Sequence, residues 1–128
     1  MTSSVLIVED EESISLSLEF LLRKEGYEVS CARDGAAALQ MLAQRIPDMV
    51  LLDVMLPLVD GFELCRMMRA NPALEKTRIM LLTARGRESE VARGLSLGAD
   101  AYLTKPFSTR ELMDTVRRLI SGNTRPAS

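Results

Sequence analysis

Glu9 and Asp10 follow the short apolar run Val5–Val8, Asp53 closes Met49–Leu52, and two later runs end in Thr83 and Lys105. If these runs are parallel strands of one sheet, all five polar residues share its carboxyl edge, where open α/β sheets bind their ligands. Three carboxylates crowded there repel unless a cation lies among them, and one lysine cannot balance them. The reading is a divalent-cation site around one reactive aspartate. Oxygen ligands suit Mg2+ or Mn2+. Asp10 and Asp53 could supply two carboxylates, Glu9 a third directly or through water, and the backbone carbonyl of Met55 a further oxygen. Asp53 can act as a nucleophile and form an acyl phosphate. The three phosphoryl oxygens would then go to the metal, to Lys105, and to the Thr83 hydroxyl or the Ala84 amide. Taken singly, some of these residues have plainer roles: threonine commonly ends strands, and Glu11 and Glu12 suit a solvated helix start. Lys105 does not, because a lysine between an apolar strand and Pro106 is partly buried and needs an anion. Lys105-Pro106 is also a candidate for the minority cis form.

Positioning these residues requires strands that alternate with helices, and the chain carries that alternation. Val5–Val8 fits a strand buried on both faces. Over Glu12–Glu25, Ile14, Leu18, Leu21 and Leu22 share one helical face, Ser13, Ser15, Ser17 and Glu19 face away, and Gly26 stops the helix. Glu28–Ala32 reads as an edge strand with polar interruptions. Asp34 caps a helix to about Arg45, with Ala38, Leu39 and Leu42 inward. After Pro47, Met49–Leu52 is the most apolar strand and the expected sheet centre. Gly61–Ala70 is a third helix ended by Asn71-Pro72. Ile79–Leu82 is the fourth strand, Glu88–Leu97 the fourth helix, stopped by Gly98, and Ala101–Thr104 the fifth strand. The last helix starts at Ser108 or Thr109 with Glu111 in its first turn. It carries Leu112, Val116, Leu119 and Ile120 inward and ends near Gly122. This pattern predicts an α/β fold, a doubly wound (βα)5 parallel five-stranded sheet of flavodoxin-like order 2-1-3-4-5. That order sets the first and third strands side by side and brings Glu9, Asp10 and Asp53 together. One domain is expected over residues 1–122, with 123–128 a flexible tail or the start of a linker.

Composition narrows the chemistry. The chain has 128 residues, 47% hydrophobic and 27% charged, with a formal net charge of -2 and no histidine. Without histidine there is no Ser-His or Cys-His nucleophile pair and no His-containing zinc site. The charge gives no basic field for nucleic acid or anionic lipid. There is no apolar stretch of bilayer-spanning length and no signal-peptide pattern at the start. Cys31 and Cys65 read as reduced, packing thiols. The expectation is a cytoplasmic protein that contacts neither membrane nor nucleic acid directly.

The segments VLIVEDEE, LLDVMLPLVDGFEL, LLTA and GADAYLTKPFSTREL, in this order, resemble the CheY-like receiver domains of two-component response regulators. The likeness spans essentially the whole chain. It implies that Asp53 is the phosphoacceptor, Glu9 and Asp10 the acidic pair that holds the metal with it, and Lys105 the phosphate-binding lysine. Thr83 corresponds to the switch hydroxyl and Tyr102 to the aromatic rotamer switch. Pro57 and Gly61 match the loop after the phosphorylation site, and Pro106 matches the cis proline. The function implied is a histidine-to-aspartate phosphorelay, fed by a sensor histidine kinase or a histidine phosphotransfer protein. Such a protein accepts its own phosphoryl group and assists its loss, but turns over no metabolite. Modification is expected to reshape the face of the fourth helix, fifth strand and last helix and so select a downstream protein. The domain is expected to be a monomer or a phosphorylation-dependent dimer.

The stretch GRESEVARGLSLGADAYLTKPF is similar to receivers attached to winged-helix DNA-binding domains. A receiver cut from a longer DNA-binding regulator or a hybrid histidine kinase is therefore the alternative reading. At three usually charged positions of that dimer face the chain has Val91, Ser96 and Ala101, which leaves Asp100, Arg117 and Arg118 for a different contact. Met55 and Arg85, two residues past Asp53 and Thr83, are bulky enough to hinder attacking water. A metal-dependent phosphatase with an aspartyl nucleophile is disfavoured because Met55 stands where a second aspartate would act as acid/base. A nucleotide or flavin binder is disfavoured because Val8-Glu9-Asp10-Glu11 has no glycine and repels phosphate.

Overall fold

The computed structural model describes residues 2–56, 60–84 and 90–121. Strands β1 (Ser4–Val8), β2 (Glu28–Ala32), β3 (Met49–Asp53), β4 (Arg78–Ala84) and β5 (Ala101–Lys105) form one sheet. They alternate with helices α1 (Glu12–Lys24), α2 (Gly35–Gln44), α3 (Gly61–Arg69), α4 (Val91–Ser96) and α5 (Thr109–Ile120). Every strand pair is parallel, in the order β2-β1-β3-β4-β5. Successive strand residues point to opposite faces. Leu6, Val8, Val50, Leu52, Ile79 and Leu81 therefore pack with α2 and α3 through Ala38, Leu42, Phe62, Leu64 and Met68. Their alternates Val5, Ile7, Met49, Leu51, Met80 and Leu82 pack with α1 and α5 through Leu18, Leu22, Leu112, Val116 and Leu119. The three central strands are apolar at both parities because both faces of the sheet are covered.

Three strands run further toward the carboxyl edge than their apolar runs. β3 takes in Asp53, β4 extends through Thr83 and Ala84, and β5 reaches Lys105. Backbone pairing continues beneath the polar side chains, with Asp53 opposite Leu82, Thr83 opposite Thr104 and Ala84 opposite Lys105. Ladder hydrogen bonds need no apolar residue, so the polar positions belong to the sheet and inherit its rigidity. Asn71-Pro72, expected only to end the third helix, opens a 3-10 turn at Pro72–Leu74 that buries Leu74. Among the described residues the fourth helix runs from Val91 to Ser96. Glu88, Pro57, Arg85 and the expected tail with Gly122 lie outside the described residues. The start of α5 is settled as Ser108, whose hydroxyl accepts from the Glu111 amide while the Glu111 carboxylate accepts from the Ser108 amide. Gly26 and Gly98 follow α1 and α4 with φ of 97° and 111°, angles that L side chains rarely adopt. Among the described residues no helix is long and apolar enough to cross a membrane.

Below the sheet, at the end remote from the carboxylates, one arginine fastens three segments. Arg69 of α3 donates Nε to Gly98 O at 2.8 Å, Nη1 to Leu74 O at 2.9 Å, and Nη2 to Thr77 O and to Asp100, each at 2.7 Å. Asp100 also accepts from the Ile79 amide at 2.8 Å. Asp100 is thus bound inside its own chain. Arg117 is likewise paired with Glu25 and Asp114. Two of the three charges that sequence left free for a partner are therefore engaged internally. Arg69→Met would remove the close ion pair of Asp100 and the guanidinium's hydrogen bonds to three carbonyls. It is expected to lower the unfolding free energy by about 3 kcal/mol, measured by urea denaturation.

Candidate functional site

The carboxyl edge gathers the expected residues from four strands. Val8 pairs with Leu52, which carries Glu9 alongside Asp53. The Glu9 amide donates to Ala32 O at 3.0 Å, so the β1 end is tied down on its other side as well. Asp53 ends β3, and the Val54 amide donates to Leu82 O at 3.1 Å, which keeps the chain straight just past it. The segment beyond must then turn into α3 in little space. The Asp60 side chain caps that helix by accepting from the Phe62 amide at 2.9 Å. Gly61 packs directly under Val54: a Cβ there would lie 2.5 Å from Val54 Cα and 2.6 Å from Asp53 O. This close approach is why a glycine stands at that position.

Glu9 and Asp53 are 1% and 3% exposed, while Asp10 points to solvent. One oxygen from each of Glu9, Asp10 and Asp53 lies within 4.8 Å of the others, close enough for a single cation. Lys105 Nζ donates to Glu9 Oε1 at 3.1 Å and to Asp53 Oδ2 at 3.0 Å. The remaining oxygens are also held: Asp53 Oδ1 accepts from the Met55 amide at 2.8 Å, and Glu9 Oε2 from the Glu11 amide at 3.1 Å. Burial raises the Glu9 carboxyl to about 7, helped by its hydrogen bond to Asp53 and that neighbour's charge. The Glu11 amide and Lys105 oppose the rise without cancelling it. Burial alone would lower the Lys105 ammonium, but the hydrogen bond and charge of Asp53, and then those of Glu9, leave its pKa raised. The cluster therefore carries more negative charge than its one lysine neutralises, and it fits a hard divalent ion with oxygen ligands.

Thr83 is buried at 3% exposure, and its hydroxyl has no hydrogen-bond partner among the described residues. A buried orphan hydroxyl at an anion-binding edge is an unused donor. Tyr102, opposite Leu81 on β5, stands outward with 43% exposure. The Lys105-Pro106 peptide is cis. Cys31 and Cys65 are free thiols whose pKa values burial raises, Cys65 to about 11, which agrees with packing rather than reactivity. Sequence reading missed a cleft beside the site of about 560 Å3, between α1 and the start of α5. It is lined by Ile14, Leu18, Leu21, Ala84, Lys105, Pro106 and Phe107, among others. The signal was available in part: Ile14 and Leu21 were read as core, yet α1 has more apolar positions than one helix face can bury.

Residues 5–117 match the model of the response regulator receiver domain. The chain is 48% identical over 120 residues to the phosphate regulon transcriptional regulatory protein PhoB of Rhizobium meliloti (strain 1021). That alignment covers 94% of this chain and 53% of the relative, so the chain spans about half the length of the curated protein it matches. Among solved structures, the signal receiver domain of a signal transduction histidine kinase from Syntrophus aciditrophicus superposes with a TM-score of 0.88 at 35% identity. It covers 99% of this chain and 96% of the other. The receiver domain of sensor histidine kinase PA1611 from Pseudomonas aeruginosa PAO1, with a magnesium ion coordinated in its active-site cleft, superposes with a TM-score of 0.85 at 31% identity. Coverage there is 94% of this chain and 99% of the other.

The raised Glu9 carboxyl makes the metal-free fold pH-dependent. Between an unfolded value near 4.5 and a folded value of about 7, the folded state holds the extra proton, so stability is lost as pH rises through that window. Without divalent cation, the melting temperature is expected to fall from about pH 5 to about pH 8, and Glu9→Gln to flatten the fall. Magnesium should raise the melting temperature more at the upper end, where no proton competes for the cluster. Scanning calorimetry in the presence of chelator or of magnesium measures both.

Proposed function

The chain belongs to the response regulator receiver domains of two-component signalling, and on that premise we propose that Asp53 is its phosphoacceptor and Thr83 and Tyr102 its switch. The observation that carries the proposal is the Asp53 carboxylate itself. It is buried, aimed by the Met55 amide and Lys105, and flanked within ligand distance by two further carboxylates. We assign Mg2+, or Mn2+ in its place, to Glu9, Asp10, Asp53 and the Met55 carbonyl. When bound it would neutralise charge on the carboxylates and on the incoming phosphoryl group.

Asp53 attacks the phosphorus of a phosphohistidine on a sensor histidine kinase or a histidine phosphotransfer protein. The new O–P bond forms as the P–N bond breaks and the imidazole leaves. Lys105, now on Asp53, is near enough to transfer its hydrogen bond to a phosphoryl oxygen. The Ala84 amide and the unpartnered Thr83 hydroxyl are the donors remaining for the others. A phosphoryl group adds about 1.5 to 2 negative charges and three acceptors, so it draws the Thr83 hydroxyl toward it. Tyr102 then turns into the vacated space, and the face of α4, β5 and α5 changes shape for a downstream protein. This is a population shift between two packings and requires no new fold. We assign the apolar cleft beside Lys105 to the donor protein, and the domain to the cytoplasm. Gly61 and Pro106 serve to shape the loops around Asp53 and Lys105.

The identity to a transcriptional regulator about twice this length favours a second reading, in which the same switch governs a DNA-binding segment elsewhere in a longer protein. The domain itself carries no basic field for nucleic acid, with a net charge of -2.

Acetyl phosphate or beryllofluoride should modify the wild-type chain only with magnesium, as read by intact mass or NMR, and should leave Asp53→Asn unmodified. Modification that persists in Asp53→Asn would move the acceptor elsewhere. Met55, 51% exposed beside the site, is expected to slow water attack. Met55→Asn should therefore speed release of phosphate from the modified protein several-fold, followed by the decay of the modified mass.

A further inference from the structure

Helix α1 carries more apolar residues than the core accepts. Leu18 and Leu22 are buried, whereas Leu16 is 57% and Phe20 67% exposed, the latter the highest among the large apolar side chains described. The two lie four residues apart and so form one ridge, on the face opposite Leu18 and Leu22. The same row continues to Glu12 at one end and Lys24 at the other, both exposed. Its neighbours leave it accessible. Ser13 and Ser17 are short, Arg23 is turned to Glu19 at 2.8 Å, and Glu12 is only loosely met by Arg33 at 3.6 Å.

Glu12-Leu16-Phe20-Lys24 is its own complement when reversed. In an antiparallel pair about a two-fold axis midway between Leu16 and Phe20, Glu12 meets the second copy's Lys24 and Leu16 meets the second copy's Phe20, twice over. Isologous pairing makes both ends attractive at once, whereas a parallel pair would set like charges together. A shallow crossing of about 20° keeps the row in register along the roughly 18 Å from Glu12 to Lys24. We propose that this outer face of α1 is a self-association surface, and that its occupant is a second copy of this chain in an antiparallel, two-fold arrangement. One helix pair buries less than the roughly 1,200 Å2 of stable complexes, so the dimer is weak and forms in the high-micromolar range.

Sedimentation equilibrium of the 128-residue chain, from about 10 μM to about 1 mM, tests the pairing. The wild type should dimerise, and Phe20→Ser should weaken the dimer by at least about tenfold, since the loss counts twice. Glu12→Lys and Lys24→Glu should each weaken it several-fold, and the two together in one chain should restore it, because the exchange reverses both ends. Matching circular dichroism melts separate loss of pairing from loss of fold, and the charge exchange decides the matter should Phe20→Ser unfold. A wild type that stays monomeric to the highest concentration overturns the proposal. So does a dimer indifferent to Phe20→Ser, or a double variant no better than the single ones.

Discussion

Everything at the carboxyl edge follows from one electrostatic constraint: two buried carboxylates need positive charge, and the chain places a single lysine between them. Lys105 bridges Glu9 and Asp53 at 3.1 and 3.0 Å. Removing either charge type would leave the other buried without compensation. Burial, and then the hydrogen bond and charge of Asp53, raise the Glu9 carboxyl despite that lysine. A site short of positive charge suits a divalent ion with oxygen ligands.

The sheet makes this imbalance tolerable. Parallel pairing runs through Asp53, Thr83, Ala84 and Lys105, so the charged groups stand on a backbone whose hydrogen bonds are already made. Packing on both faces fixes the register, because a one-residue slip would turn buried side chains to the wrong side. Among the described residues, the Thr83 hydroxyl is the buried side-chain oxygen without a hydrogen-bond partner. It stands two positions along β4 from Leu81, which faces Tyr102, so a small movement of one hydroxyl is close to an exposed aromatic on the neighbouring strand. Such a layout can pass a local change to a surface without disturbing the core.

The surface is correspondingly divided. Asp100 and Arg117 look available for partners in the sequence, yet both are spent on internal pairs that hold the α4–β5 turn and the end of α1. What α4 and β5 present instead is partly apolar, with Leu95 and Tyr102 each 43% exposed. The outer row of α1 is a separate surface on the other side of the sheet, with its own charge order.

The strand order, the pairing of Glu9 and Asp10 with Asp53, and the cap at Asp34 were legible from sequence because they rest on local rules. Apolar periodicity fixes which face of an element is buried, and the carboxyl ends of buried parallel strands must come together. Cis Lys105-Pro106 was flagged only by the resemblance and as a minority form, and the extra strand residues were not legible as such, since neither changes the apolar pattern. Nor could sequence say that Asp100 folds back onto Arg69, thirty-one positions earlier, while Arg118 does not find such a partner among the described residues. Which charge meets which is decided by elements distant in the chain. The amino-acid order by itself determined the fold and the chemistry of the edge. Only the tertiary structure decided how deeply Glu9 and Asp53 are buried, which hydroxyl among the described residues is left without a partner, and which apolar side chains remain in water, because each depends on distances between segments that sequence periodicity does not encode.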